Sequence, residues 1–193
     1  MTALLFDLFG VLLKERTDAG RRRVERAIGA DENMWPIYDE LRPAYNVGDV
    51  SDERFWRQLQ IRAGLETIDI AEAIAADWES TSAADPEMVA LVKELFDARV
   101  RLGILTNIPA GLAKQVRAEH TWIDSFDAVT LSCDIGVAKP DPRAFAVAAA
   151  ALNVAPKEVL YFDADPINVA AANESGLKAL LFTGTESVRK VLP

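Results

Sequence analysis

The sequence predicts an α/β fold: a parallel sheet of about five strands, with a small helical insertion after the first strand. Three observations carry this expectation. From Asp85 onward, short apolar runs alternate with helical segments, so consecutive strands need crossovers and run parallel. Residues 14 to 80 break that rhythm and read as helix after helix. Each apolar run turns polar at its carboxyl end, the edge where open α/β sheets bind ligands.

The elements follow in order. Residues 3 to 8, ALLFDL, form an apolar run without a period of 3.6, ended by Gly10, as a strand buried on both faces requires. The insertion, residues 14 to 82, holds Trp35, Tyr38, Leu41 and Tyr45, then Phe55, Trp56 and Leu59, at helical spacing. Pro36, Pro43, Gly48 and Gly64 punctuate it, and Ser51 is placed to cap the segment DERFWRQLQIRAG. Asp85-Pro86 reads as N-cap and first helical position, opening a helix to about Arg99. VRLGILTN is then a strand, residues 110 to 120 a helix, FDAVTLS a strand and DPRAFAVAAAALN a helix. EVLYFDAD is the fourth strand, PINVAAANESG a helix closed by Gly176, and KALLF the fifth strand. The expected organisation is an α/β unit of residues 1–13 and 83–193, with a helical cap of residues 14–82 between its two parts.

Composition narrows the function. Of 193 residues, 21 are Lys or Arg and 30 are Asp or Glu, a net charge of -9, which argues against nucleic acid and anionic membranes as partners. One cysteine, Cys133, excludes an intramolecular disulfide and a cysteine-rich metal site, and one histidine, His120, excludes a histidine cluster. Cys133 is expected to be a small buried residue, His120 to lie at a helix end, and Arg21, Arg22, Arg23 and Arg26 to form a solvated helix face. No run reaches membrane-spanning length. The apolar run at residues 3 to 13 has no preceding basic residue and contains Asp7, so we expect a buried strand of a cytoplasmic protein.

The strand ends carry the chemistry. The first delivers Asp7, the second Thr106 and Asn107, the segment after the third Lys139, and the fourth Asp163 and Asp165. A carboxylate inside an apolar run is costly unless it is paired, metal-bound or reactive. Such a set suits attack by an aspartate on phosphorus, giving an aspartyl-phosphate that water cleaves. Mg²⁺ would take a few carboxylates with waters and phosphate, while Lys and Thr hold phosphoryl oxygens. Asp165, directly before Pro166, caps a helix as readily as it binds a metal, and Asn168 shares that reading.

FDLFGVL, LTN, GVAKPDPRAF and YFDADPINVAAANESG, in this order, resemble the four motifs of the haloacid dehalogenase-like hydrolase superfamily. The insertion resembles that superfamily's small helical cap on a Rossmann-like core. AYNVGDVSDERFW, LSCDIGVAKPDP and LFTGTESVRKVL further resemble a branch with bacterial glucose-1-phosphate phosphatases and the N-terminal phosphatase domain of soluble epoxide hydrolases. The resemblance implies Asp7 as nucleophile, Thr106 and Asn107 as phosphoryl contacts, and Lys139 as the charge neutraliser. It implies Mg²⁺ held by Asp7, the carbonyl of Phe9 and the acidic pair Asp163 and Asp165, with a small phosphorylated substrate.

Two positions depart from that pattern. Phe9 stands where the family's phosphatases carry a second acid, and Ala164 where they carry a second metal-binding acid. General acid help is worth about 10²–10⁴-fold, so both proton transfer and metal binding are expected to be weakened. The alternative reading is a degenerate member that binds a phosphorylated metabolite or a protein partner without turnover. A 2-haloacid dehalogenase ranks lower. Those relatives carry a tyrosine where Phe9 stands, a threonine in place of Val11, a tyrosine in place of Phe145, and an aspartate in place of Asn168.

Overall fold

The computed structural model describes residues 3–192, so residues 1, 2 and 193 of the expected α/β unit lie outside the described residues. The five apolar runs form one parallel sheet of β1 (Ala3–Phe6), β2 (Leu102–Thr106), β3 (Ala128–Leu131), β4 (Val159–Asp163) and β5 (Lys178–Leu181). Their order is β3-β2-β1-β4-β5, with Phe6 of β1 opposite Ile104 on one side and Phe162 on the other. The chain winds outward from β1 to β3, then crosses back to β4. The strand order therefore reverses beside β1, at the kind of switch point where such sheets bind ligands.

β1 ends at Phe6, short of the expected Leu8. The Asp7 amide still donates to the Phe162 carbonyl at 2.9 Å. The Leu8 carbonyl then accepts from the amides of Leu12 and Leu13, at 2.9 and 2.8 Å, which folds the chain into a turn. Gly10 makes that turn possible at a φ of 81°.

Four helices fill the insertion: α1 (Asp18–Ile28), α2 (Met34–Asn46), α3 (Asp52–Arg62) and α4 (Ile70–Glu79). Ser51 caps α3 by accepting from the Arg54 amide. Pro43, expected as punctuation, lies inside α2, where burial of Trp35, Tyr38 and Tyr45 outweighs the lost backbone bond. Trp35 and Trp56 are core residues, in a hydrophobic cluster built from the insertion alone. Arg21, Arg22, Arg23 and Arg26 are exposed, as expected.

The remaining helices are α5 (Pro86–Asp97), α6 (Ala110–Glu119), α7 (Ser132–Ile135), α8 (Pro142–Ala151), α9 (Pro166–Glu174) and α10 (Thr185–Arg189). Asp85 caps α5, accepting from the amides of Glu87 and Met88 at 3.0 Å. Alternation along β1 sends Leu4 and Phe6 to a core that includes Leu91 and Leu95 of α5 and Leu112 of α6. Ala3 and Leu5 face a second core with Phe145 of α8 and Ala172 of α9. Among the described residues no helix is long and apolar enough to cross a membrane.

Candidate active site

Period-2 alternation on β4 puts Tyr161 and Asp163 on the same face, the one covered by α8 and α9. Asp7, one residue past β1, and Lys139, in the segment before α8, reach the same place. The Lys139 ammonium lies 2.8 Å from Asp7 Oδ1, 2.7 Å from Asp163 Oδ2 and 2.9 Å from the Tyr161 hydroxyl. All three of its donor directions are thus taken, with the side chain 1% exposed. A buried ammonium is tolerable only with such partners.

Asn107 fixes Lys139 through the backbone. Its side-chain amide donates to the Lys139 carbonyl and accepts from the Lys139 amide, each at 2.8 Å. Both polar atoms of the Asn107 side chain are used in this clamp, so that side chain acts on Lys139. Thr106 ends β2 fully buried, and its hydroxyl has no hydrogen-bond partner among the described residues. An orphan hydroxyl at the edge of the site is a ready donor to a ligand oxygen.

Asp163 is the most heavily bonded acid of this site. Its Oδ2 accepts from Lys139, the Tyr161 hydroxyl and Asn168 Nδ2 (the last at 3.1 Å), and its Oδ1 accepts from the Asp165 amide at 2.8 Å. Asp165 itself turns outward and caps α9, accepting from the Ile167 amide at 2.8 Å. Of the two readings open for Asp165, capping is the contact the structure contains. Asn168 does not cap: it is buried and donates to Asp163.

Asp7 Oδ1 accepts from the Leu8 amide at 2.7 Å as well as facing Lys139. Its Oδ2 takes no hydrogen bond from the described residues. Burial pushes the Asp7 carboxyl up from 3.8 to about 6; Lys139 pulls it back down, and the Asp163 charge pushes it further up. Burial, then the charges of Asp7 and Asp163, raise the Tyr161 phenol well above its ordinary range, so it stays a neutral donor. Two carboxylates against one ammonium leave one negative charge over.

Phe9 is half-buried, and Phe9 and Ala164 each pack against the core, with Gly10 closely approaching Ala164. Sequence reasoning missed Tyr161, which reads as another core aromatic in an apolar strand. The signal that could have found it is its period-2 relation to Asp163. His120 closes α6, its ring nitrogen 2.9 Å from the Ser82 carbonyl, as expected. Cys133 is half-buried, less covered than expected because it lies in α7 at the end of β3, and burial pushes its thiol up to about 11.

A carboxylate with one uncommitted oxygen, backed by a lysine at a sheet's switch point, defines an α/β enzyme equipped for nucleophilic or electrostatic catalysis. The comparisons with known proteins make this specific. The family model for haloacid dehalogenase-like hydrolases matches residues 1–176, and the chain belongs to that family of hydrolases.

Its curated relatives include a phosphoglycolate phosphatase of Cereibacter sphaeroides, 32% identical over 108 residues, covering 56% of this chain and 49% of the relative. A validoxylamine A 7′-phosphate phosphatase of Streptomyces hygroscopicus is 30% identical over 95 residues, 49% of this chain and 45% of the relative. The chain thus spans about half the length of these two relatives. A sesquiterpene phosphatase of Aspergillus oryzae is matched more fully: 27% identity over 184 residues, 94% of this chain and 89% of the relative. Among solved structures, a haloacid dehalogenase-family enzyme of Bacteroides thetaiotaomicron superposes with a TM-score of 0.85 at 19% identity, covering 100% of this chain and 99% of the other. The L-2-haloacid dehalogenase of Xanthobacter autotrophicus superposes at 0.72 and 22% identity, covering 98% and 81%. At such identities these two similarities concern the fold.

Proposed function

We propose that this protein hydrolyses a small phosphomonoester through an aspartyl-phosphate on Asp7, with Mg²⁺ as cofactor and the helices of the insertion as a cap over the site. The observation that carries the reading is the buried bridge from Asp7 through Lys139 to Asp163, with Asp7 Oδ2 left uncommitted. The phosphatase relatives support the same reaction class, and their differing named substrates leave the alcohol unspecified.

The chain's own residues divide the work. Asp7 Oδ2 attacks phosphorus, forming an O–P bond as the ester P–O bond breaks. Thr106 donates its unpartnered hydroxyl to a phosphoryl oxygen, and Lys139 offsets the charge between nucleophile and phosphoryl group. Asp163, Tyr161 and Asn107 hold Lys139 in place. The departing alkoxide takes its proton from water, because Phe9 has none to give. A second water then breaks the Asp7–phosphorus bond, releasing inorganic phosphate and a proton to solvent.

The donor set fits Mg²⁺ with few protein ligands. The negative charge left over in the bridge and the raised Asp7 carboxyl both call for a cation. Asp7 and the Phe9 carbonyl would hold it, with waters and phosphoryl oxygens completing the shell. Asp163 serves Lys139, and Asp165 serves α9, ahead of any metal role. When bound, Mg²⁺ supplies charge stabilisation at the phosphoryl oxygens.

The test is an assay against sugar phosphates and a chromogenic phosphomonoester, with Mg²⁺ and with chelator, beside Asp7→Asn. We expect Mg²⁺-dependent release of phosphate that Asp7→Asn reduces by about 10³-fold or more. Equal background rates in both proteins would end the enzymatic reading. They would favour the degenerate binder, which Phe9 and Ala164 support. Phe9→Asp with Ala164→Asp should raise turnover, since it returns a proton donor and a metal ligand.

A further inference from the structure

A second charge cluster lies in and beside the helical insertion, and the mechanism above does not use it. Asp77 of α4, 1% exposed, accepts from Arg16 Nη2 at 2.5 Å and from Arg42 Nη1 at 3.3 Å. The Tyr38 hydroxyl lies 2.8 and 2.9 Å from its two oxygens. The two guanidinium side chains are only 15% and 18% exposed. Burial pushes the Tyr38 phenol up to about 12, so it brings no second negative charge. Two guanidinium groups therefore share one buried carboxylate, with the charge of Asp39 a weaker partner of Arg16, an arrangement that favours a further anion.

The two arginines have spare donors. Arg16 Nε is bound to Ser80 Oγ at 2.8 Å, and Arg42 Nε to Asn46 Oδ1 at 2.9 Å. Arg16 Nη1 and Arg42 Nη2 donate to no described residue. Both guanidinium planes are fixed by aromatic faces, Arg16 over Trp35 at 5.0 Å and Arg42 over Tyr45 at 5.6 Å. The pair opens on a cleft of about 200 Å³ that it shares with Phe9, Gly10, Lys14 and Glu15. Three cations face one anion there, in a protein whose net charge is -9. Phe9 and Gly10 belong to the turn that follows Asp7, so the cleft is continuous in sequence with the nucleophile.

We infer that this cleft receives a second anionic group of the substrate, a carboxylate or a second phosphate, through the forked donors of Arg16 and Arg42. The inference rests on the phosphomonoesterase reading and narrows its substrate class to phosphomonoesters with a further negative charge a few bonds from phosphorus. Asp77 and Tyr38 are the positioning residues. They hold the two forks with their outer edges toward the cleft, the geometry that suits planar or tetrahedral oxyanions. Phe9 supplies an apolar wall of the cleft.

The experiment compares 2-hydroxyethyl phosphate with phosphoglycolate, which share a skeleton and differ in the distal group. Charge-assisted hydrogen bonds of this kind are worth about 10–100-fold, so kcat/KM should favour the carboxylate by that ratio. Arg42→Lys keeps charge but loses the fork and should lower the ratio severalfold. Arg42→Met should bring it to near one. Calorimetric binding of both probes to Asp7→Asn reads the same preference without turnover, so a dead enzyme and a wrong anion site give different results. Equal binding of the two probes by Asp7→Asn overturns the inference, as does a preference that survives in both Arg42 variants. If Arg42→Met does not fold, the Arg42→Lys ratio and the wild-type preference still decide.

Discussion

Two buried three-charge clusters in this molecule are inverses of each other. At the sheet edge, Asp7 and Asp163 share the single ammonium of Lys139. In the insertion, Arg16 and Arg42 share the single carboxylate of Asp77. Counting these groups alone, the first is one charge negative and the second one charge positive, with Asp39 near enough to Arg16 to offset part of that excess. Each has a neutral tyrosine against its central pair, Tyr161 in one and Tyr38 in the other. The difference teaches what each cluster lacks: the sheet edge is short of a cation or an electrophile, and the insertion is short of an anion. A phosphomonoester with a second negative group, taken up with Mg²⁺, satisfies both.

Removing either centre should have the largest effect on stability. Lys139→Met leaves two carboxylates buried without their cation and should cost about 3–5 kcal/mol, read by urea denaturation in chelator. Asp77→Asn leaves two guanidinium groups facing each other and should cost a comparable amount, with added phosphate or sulfate restoring part of it. If Asp77→Asn proves neutral, the mirror relation fails and its arginines are ordinary solvated groups.

A smaller effect sharpens the negative cluster. Folding raises the Asp7 carboxyl from 3.8 to about 6, mainly through burial. Between those values the folded state holds more protons than the unfolded state, so wild-type stability falls as pH rises through the window. Asp7→Asn carries no such charge. In chelator at pH 8 it should be the more stable protein, by roughly 1–3 kcal/mol, and the gap should close as pH falls from about 6 to about 4. A gap that widens toward acid would mean that Lys139 stabilises the ionised Asp7 more than burial destabilises it.

The smallest effect separates two roles of one residue. Asp165→Ala should cost about 1 kcal/mol, the value of an N-cap, in thermal unfolding. A calorimetric loss of Mg²⁺ affinity in that variant would instead make Asp165 a ligand and add charge to the first cluster.

Much of the sheet edge was legible in the sequence. Asp7, Thr106, Asn107, Lys139 and Asp163 each stand where an apolar strand turns polar, or in the loop before the next helix, and a parallel sheet gathers such ends by construction. Tyr161 was not legible, because an aromatic inside a strand reads as core whether or not its hydroxyl has a partner. Asp165 and Asn168 looked alike beside Pro166, yet one caps α9 and the other bonds Asp163. That split depends on which way each side chain turns at the start of the helix.

The inverse cluster was invisible from the sequence. Arg16 and Asp77 lie 61 positions apart, and Arg42 and Asp77 lie 35 apart, so no local spacing relates them. The sequence by itself determined the sheet, the helical insertion and the acids and lysine at the strand ends, because period and polarity along the chain dictate which residues a parallel sheet delivers to its edge. Only the tertiary structure decided how those charges pair, that Asp163 serves Lys139, and that two arginines share one acid, because pairing depends on distances between elements far apart in the chain.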